Sequence, residues 1–529
     1  MSTLLLWLVT ALVALVQATA APLQVLENGT TYWPSLRFHF TVKRSSMKVH
    51  GKAEFTVLAN PVVLHDDTTS VLYDTVATFT EDSTIFNYTM VNGVSYLTRS
   101  YIDDSNATSV QCYESGILPS INSIIAGLTE ASPVSSISTS FGSFVECSSK
   151  DQFEVSVNGV PFGLCYEGYS GFTMYGADMD INVEYLSSSD EIHTPVLDEN
   201  SVKCDALATS YSVTSLGKSL LTGQPIPIES ARMLKAEFGF SLDTSPCSCK
   251  STPRPCIFIH GQGIKQEMAE NQDSFPTRYW GNMTDHAPCC TTIKFAVLNT
   301  VNNSWTDGIQ QQKVCDRALA VSDTSIKSRI SDTIIITHSM GALMLGGAIA
   351  SGKCSLAPST TWISTGAPMR GSMGSDYLQG SCEGETNRVM EKVANITGRC
   401  PVSTAIRSLA YEDGDYASVK LNRAYKEAQE VYRTHVKAAM CSYKHSGLIS
   451  NYQWQFWLLG KVVPHKSPQN DGMVEFHSCA GGFPESKFGN NYRDQFYVTK
   501  LNHFDVAFQS GDALLDEAKM PMKWFECLL

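Results

Sequence analysis

The chain has 529 residues, 43% of them hydrophobic and 17% charged, with a formal net charge of −13. That length exceeds one ordinary core and implies two or three domains of a soluble globular protein. The acidic balance excludes the basic face that nucleic-acid binding requires.

Residues 1–20 read as a signal peptide, with an apolar run from Leu4 to Val16 and then the small-x-small site Ala18-Thr19-Ala20. No Lys or Arg precedes the run, but about thirteen apolar residues are too few for a bilayer that needs about twenty. Secretion, or residence in the lumen of the secretory pathway, is therefore expected. Sixteen Cys without paired CxxC motifs point to disulfides rather than zinc, although the pairing is not deducible. Asn28, Asn87, Asn106, Asn282, Asn302 and Asn395 stand in N-glycosylation sequons, as expected for surface loops of a glycoprotein.

Residues 23–243 carry the pattern of a β-rich antiparallel domain. Leu36 to Val42 alternates, Lys52 to Leu58 follows, and Thr69 to Thr98 is rich in Val, Thr, Phe and Tyr. Asn92-Gly93 and Asn158-Gly159 predict tight hairpins. A helix is expected over Ile117 to Glu130, because Ile121, Ile124, Ile125 and Leu128 recur at helical spacing. Cys112, Cys147, Cys165 and Cys204 suffice for two bridges inside this half. No catalytic chemistry is evident here, and the sheet could bind a lipid or another partner.

Over residues 250–529 the rhythm changes to strand and helix in alternation. Strands are predicted at Cys256–Ile259, Thr292–Leu298, Thr333–Ile336 and Thr361–Ser364, with helices at Gln310–Val321 and Gly341–Ala350. This implies a mostly parallel sheet with helices on both faces. A helical insertion is expected at about 372–450, its longest helix facing inward with Leu421, Ala424, Tyr425, Ala428, Tyr432 and Val436. Phe456–Val463 and Phe496–Leu501 should complete the sheet, and Asp512–Lys519 should form a closing helix.

The chemistry gathers at strand ends. Asp332 to Gly341 runs from a buried strand into a Ser followed two residues later by Gly, the outline of a nucleophile elbow at Ser339. Thr337 stands where a Gly is usual; if its Cβ held strand and helix apart, Thr337→Gly would raise activity. His260-Gly261-Gln262-Gly263 follows the first strand and can aim the Gln262 N–H into a site beside that of Met340, as an oxyanion hole. Asp471 lies in the turn Ser467 to Val474, and His503 follows the last strand. The order Ser, Asp, His is that of an α/β-hydrolase.

These stretches resemble secreted lipases of the α/β-hydrolase class, especially bacterial triacylglycerol lipases. The resemblance rests on His260-Gly261, Asn470-Asp471-Gly472-Met473-Val474, Asn502-His503-Phe504-Asp505 and Gly366-Ala367-Pro368-Met369-Arg370-Gly371-Ser372. It covers about Pro255 to the C-terminus and leaves the first half unrecognised. It implies Ser339 as nucleophile, His503 as general base and Asp471 as its carboxylate partner, with Gln262 and Met340 as the oxyanion donors. His338 is expected to point away from His503 and line the acyl pocket. His465 and His477 are alternative bases, both out of the expected order. Asp505 and Gln509 match positions that help to bind calcium in the bacterial enzymes, yet no Asp or Glu lies between Glu430 and Asp471 to supply the second carboxylate. No cofactor is expected.

The sequence thus predicts a secreted serine hydrolase of carboxylic esters, most simply lipid esters, with the insertion as a lid and transient contact with a membrane surface. An acyltransferase or lipid deacylase uses the same acyl-enzyme. A peptidase on the same fold is a further reading. The alternative of another class is a catalytically inert, hydrolase-like protein that binds lipid or a partner.

Overall fold

A computed structural model describes residues 33–529 apart from 63–68, 113–117, 119, 189, 198–203, 205, 207, 228–237, 244–246, 385–399 and 451. The expected signal peptide and the sequons at Asn28 and Asn395 lie outside the described residues.

The first half forms a large antiparallel sheet and a small parallel pair, Ile137–Thr139 with Phe240–Leu242. From one edge the strands of the large sheet run Asp104–Cys112, Val94–Tyr101, Thr84–Val91, Ser70–Glu81, Glu54–Val62, Ser35–Val42, Met179–Leu186, Phe172–Gly176, Val160–Tyr166, Gln152–Val157 and Ser132–Pro133. Alternation decides which face is apolar: Leu36, Phe38, Phe40 and Val42 are buried, while the residues between them are partly or fully exposed. Both Asn-Gly pairs turn hairpins, joining Val91 to Val94 and Val157 to Val160. Asn92, Gly93, Asn158 and Gly159 all have positive φ, the requirement of the tight turn that matches strand twist.

The helix Ile121–Thr129 lies on the sheet, with Ile121, Ile124, Ile125 and Leu128 buried. Its Asn122 is fully buried and clamps a strand, accepting from Tyr73 N at 3.0 Å and donating to Tyr73 O at 3.2 Å.

The second half holds a six-stranded parallel sheet ordered Cys290–Ala296, Arg254–Ile259, Ile334–His338, Thr361–Thr365, Val436–Ser442 and Phe496–Thr499. The helices Gly308–Leu319, Met340–Ala350 and Val419–His435 share a core with one face, built on Ile257, Ile259 and Ile335. The alternate residues Cys256, Phe258, Ile334 and Ile336 face the other way, into a cluster with Trp280 and Phe525. That cluster continues without a break to Phe38, Phe40 and Trp33 of the antiparallel sheet. The second face is thus covered by the short helices Thr277–Trp280 and Pro521–Leu528 rather than by a full helical layer.

Charges reinforce the junction of the halves: Arg44 pairs with Glu526 at 2.6 Å, Lys523 pairs with Asp178, and Ser46 Oγ donates to Asp512 at 2.7 Å.

Three expected elements differ. Phe456–Val463 is not a strand: all of it but Val463 belongs to the helix Gln453–Val462. Val436 leaves the long helix and starts the fifth strand, so that strand falls inside the stretch expected to be a helical insertion. Asp512–Lys519 contains only the turn Glu517–Lys519, and the closing helix is Pro521–Leu528.

All sixteen Cys pair: Cys112–Cys204, Cys147–Cys165, Cys247–Cys527, Cys249–Cys289, Cys256–Cys290, Cys315–Cys354, Cys382–Cys400 and Cys441–Cys479. Of the described sequons, Asn282 and Asn302 are exposed in loops. Asn106 falls on the strand Asp104–Cys112, and Asn87 sits mid-strand with its Oδ1 accepting from Thr78, so these two are not loop positions.

Candidate active site

The buried strand Ile334–His338 passes into the helix Met340–Ala350 with no residue between them but Ser339, whose φ is 54° and ψ −130°. A non-glycine residue at positive φ stores strain, which persists only where surrounding structure enforces it. Here Ser339 N donates to Thr365 O at 3.0 Å, and the helix crosses directly behind the neighbouring strand. Gly341 makes that crossing feasible, since a Cβ there would lie 2.5 Å from Ile259 O.

Ser339 Oγ is 2.9 Å from His503 Nε2, and His503 Nδ1 is 2.7 Å from Asp471 Oδ2. All three residues are buried, Ser339 and His503 each keeping 6% of their surface. Asp471 is held in its own turn: Oδ1 accepts from Met473 N at 2.9 Å and Val474 N at 2.7 Å, and its carbonyl accepts from His503 N at 3.0 Å. With Oδ1 occupied, Oδ2 is left to receive the imidazole N–H. Gly366, at φ 57°, lies beside the ring: a Cβ there would touch His503 Cε1 at 3.4 Å and crowd Val506 Cγ2 at 2.9 Å. The Gly-x-Pro stretch read from the sequence therefore borders the histidine itself.

The turn after Arg254–Ile259 crosses over the serine. A Cβ on Gly261 would lie 2.5 Å from Ser339 Cβ and 3.1 Å from its Oγ. His260 fixes the turn, with Nδ1 donating to Gly261 O at 2.8 Å and Nε2 accepting from Leu298 N at 3.0 Å. Burial pushes its pKa down to about 4, so it works as a neutral brace. Among the described residues, the backbone N–H groups of Gln262 and Met340 have no protein acceptor, and Met340 opens a helix whose N-terminus favours negative charge.

His338 departs from expectation. It does not point away from His503: its Nε2 bonds to His503 O at 2.9 Å and its Nδ1 to Tyr279 Oη at 2.8 Å, with the two histidine rings 4.9 Å apart. A β-strand alternates its side chains, and the inward pleat places His338 beneath the site rather than in front of it. Tyr279 is the residue that sequence reading missed, and no motif surrounds it.

The other histidines are engaged elsewhere. His465 Nδ1 meets Glu475 Oε1 at 2.7 Å, and His477 Nε2 bonds to Tyr411 Oη. Ser372, on the insertion's hinge, donates to Met473 O at 2.5 Å and so ties that hinge to the Asp471 turn.

The residues matched to a calcium site make bonds within the protein, although Asp505 Oδ1 is buried without a hydrogen-bond partner among the described residues. Asp505 Oδ2 accepts from Leu448 N at 2.6 Å, the Lys519 ammonium bonds to the adjoining Gly447 O, and Gln509 turns its amide to Arg278 O. Among the described residues, no group of three or more His, Cys, Asp or Glu side chains could hold a metal ion.

No family model matches this sequence, and neither does any curated protein. Solved structures show partial likeness, each at 12% identity: a Staphylococcus hyicus lipase over 53% of this chain and 95% of that one, with a TM-score of 0.27; a metagenomic carboxyl esterase over 58% and 80%, at 0.29; and a haloalkane dehalogenase from Bradyrhizobium elkani over 40% and 79%, at 0.22. Such scores carry no weight, and the functional reading rests on side-chain geometry.

A cavity of about 800 Å³ lies at the junction of the halves, lined in part by Val57, Tyr88, Met90, Lys444, Lys500 and Leu514. Ser339, Asp471 and His503 are not among its lining residues.

Proposed function

We propose that this protein is a secreted serine hydrolase of the α/β-hydrolase type that cleaves carboxylic esters through an acyl-enzyme on Ser339. The single observation that carries the reading is the continuous chain Ser339 Oγ, His503, Asp471, at 2.9 and 2.7 Å, on a serine held at positive φ. A surface serine on an ordinary turn has no reason to carry that strain or those partners.

In this reading His503 Nε2 takes the Ser339 proton as Oγ attacks the ester carbonyl. Asp471 keeps the imidazole in the tautomer with hydrogen on Nδ1 and stabilises the imidazolium that forms. The developing oxyanion is received by the N–H groups of Gln262 and Met340. The proton passes to the leaving alkoxide, and water attacks the acyl-enzyme with His503 again as base. Eight disulfides support an oxidising compartment, and hence secretion. Lipid esters are the substrate class that this reading favours.

The test is a fluorophosphonate probe applied to the wild type and to Ser339→Ala. Labelling of the wild type alone supports the reading; an unlabelled wild type, or equal labelling of the variant, leaves the inert binding protein in its place. Nitrophenyl esters of rising chain length then define the acyl preference.

A further inference from the structure

We propose that Tyr279 and His338 are positioning residues: a hydrogen-bonded strut that holds the oxyanion turn and the His503 loop at a fixed spacing on either side of Ser339. The proposal rests on the serine-hydrolase reading above. Its basis is a chain of three bonds, from Gly261 N to Tyr279 Oη at 2.5 Å, from Tyr279 Oη to His338 Nδ1 at 2.8 Å, and from His338 Nε2 to His503 O at 2.9 Å.

Donor bookkeeping gives this chain one direction. The Gly261 amide can only donate, so the Tyr279 oxygen accepts and turns its own hydrogen to His338 Nδ1. His338 must then carry its hydrogen on Nε2, where it donates to the carbonyl of His503. Protonating His338 would set two hydrogens against each other at Nδ1. Burial, and next the neighbouring His503, hold its pKa well below the ordinary histidine value.

The strut is itself anchored. Tyr279 sits in the short helix Thr277–Trp280, packed edge-on against His260 and Phe275. The helix leads into Gly281, which passes so close under Phe508 O that a Cβ would lie 2.2 Å from it. Gln509 bonds to Arg278 O as well. The helix therefore touches both the turn that carries Gln262 and the segment that follows His503. Neither tie requires a side chain in contact with substrate.

Tyr279→Phe keeps the ring packing and removes the two bonds made by the hydroxyl. The expected result is a turnover number lowered about 10- to 100-fold with KM within about twofold, as for an oxyanion donor moved rather than lost. His338→Leu should match that loss, whereas His338→Gln, whose amide can still donate to His503 O, should stay within about threefold of wild-type turnover. Hydrogen exchange supplies a readout independent of activity: in Tyr279→Phe the amides of Gly261 and of His503 should exchange faster together, although only Gly261 loses a direct partner. An unchanged turnover number, or exchange that rises at Gly261 alone, overturns the strut. Should Tyr279→Phe melt, the Leu and Gln variants at His338 decide, equal turnover in the two being the overturning result. A wild type that neither labels nor hydrolyses esters would defeat the hydrolase reading, and the exchange data would still uphold or overturn the strut.

Discussion

The indole Nε1 of Trp362 donates to Thr337 Oγ1 at 2.9 Å, both groups being fully buried between adjacent strands of the parallel sheet. Thr337 is the residue that departs from the usual glycine of a nucleophile elbow, and its side chain is a needed acceptor rather than an obstacle. The expectation that Thr337→Gly raises activity is therefore reversed. That substitution leaves the Trp362 N–H without a partner, opens a void and adds backbone freedom, at a cost of about 2–4 kcal/mol. Urea denaturation should show the loss, Thr337→Ser should recover most of it, and turnover of Thr337→Gly should not exceed that of the wild type.

Asp471→Asn tests the direction of the proton relay. Oδ1 must still accept from Met473 N and Val474 N, so the new amide would face His503 Nδ1. The histidine then keeps its hydrogen on Nε2, toward Ser339, and cannot act as base. Turnover should fall about 10³- to 10⁴-fold with little change in melting temperature. Near-normal nitrophenyl ester hydrolysis by this variant would assign the carboxylate role elsewhere.

Gly261→Ala places a methyl group 2.5 Å from Ser339 Cβ and 3.1 Å from His338 O. One side must shift, which lowers stability by about 1–3 kcal/mol. The His260–Gly263 turn and Ser339 shift with it, so fluorophosphonate labelling should slow by more than about tenfold. A folded variant that labels at the wild-type rate would show that this turn is not part of the site.

What could be read from the sequence depended on whether a local signal existed. The Asn-Gly hairpins and the strands near Ile257, Ile335 and Ile363 were legible because turn chemistry and β-branched runs are local properties. Val436 was misplaced because the long helix runs into the fifth strand with no Gly or Pro between, and its apolar residue continues the helical period by one step. Phe456–Val463 is a short apolar run, for which periodicity does not separate a strand from a buried helix. The Ser339, Asp471 and His503 turns were visible as motifs. Tyr279 was not, since its link to His338 spans 59 residues and exists only after folding.

Asp512 gives the junction between the halves a pH dependence. It is fully enclosed, accepting from Ser46 Oγ, Met522 N and Lys523 N, with the Arg44 guanidinium 3.8 Å away. Burial outweighs these partners and pushes its pKa up to about 6. The folded value lies above that of an unfolded aspartate, so between about pH 4 and about pH 6 the folded chain holds more protons and stability falls as pH rises through this window. Asp512→Asn keeps an oxygen for the helix N–H groups and cannot titrate. Melting temperature should decline less for this variant than for the wild type as pH is raised from about 4 to about 6. Parallel declines in the two proteins would assign the dependence to other groups, of which Asp376, also pushed up to about 6 by burial, is the next to substitute.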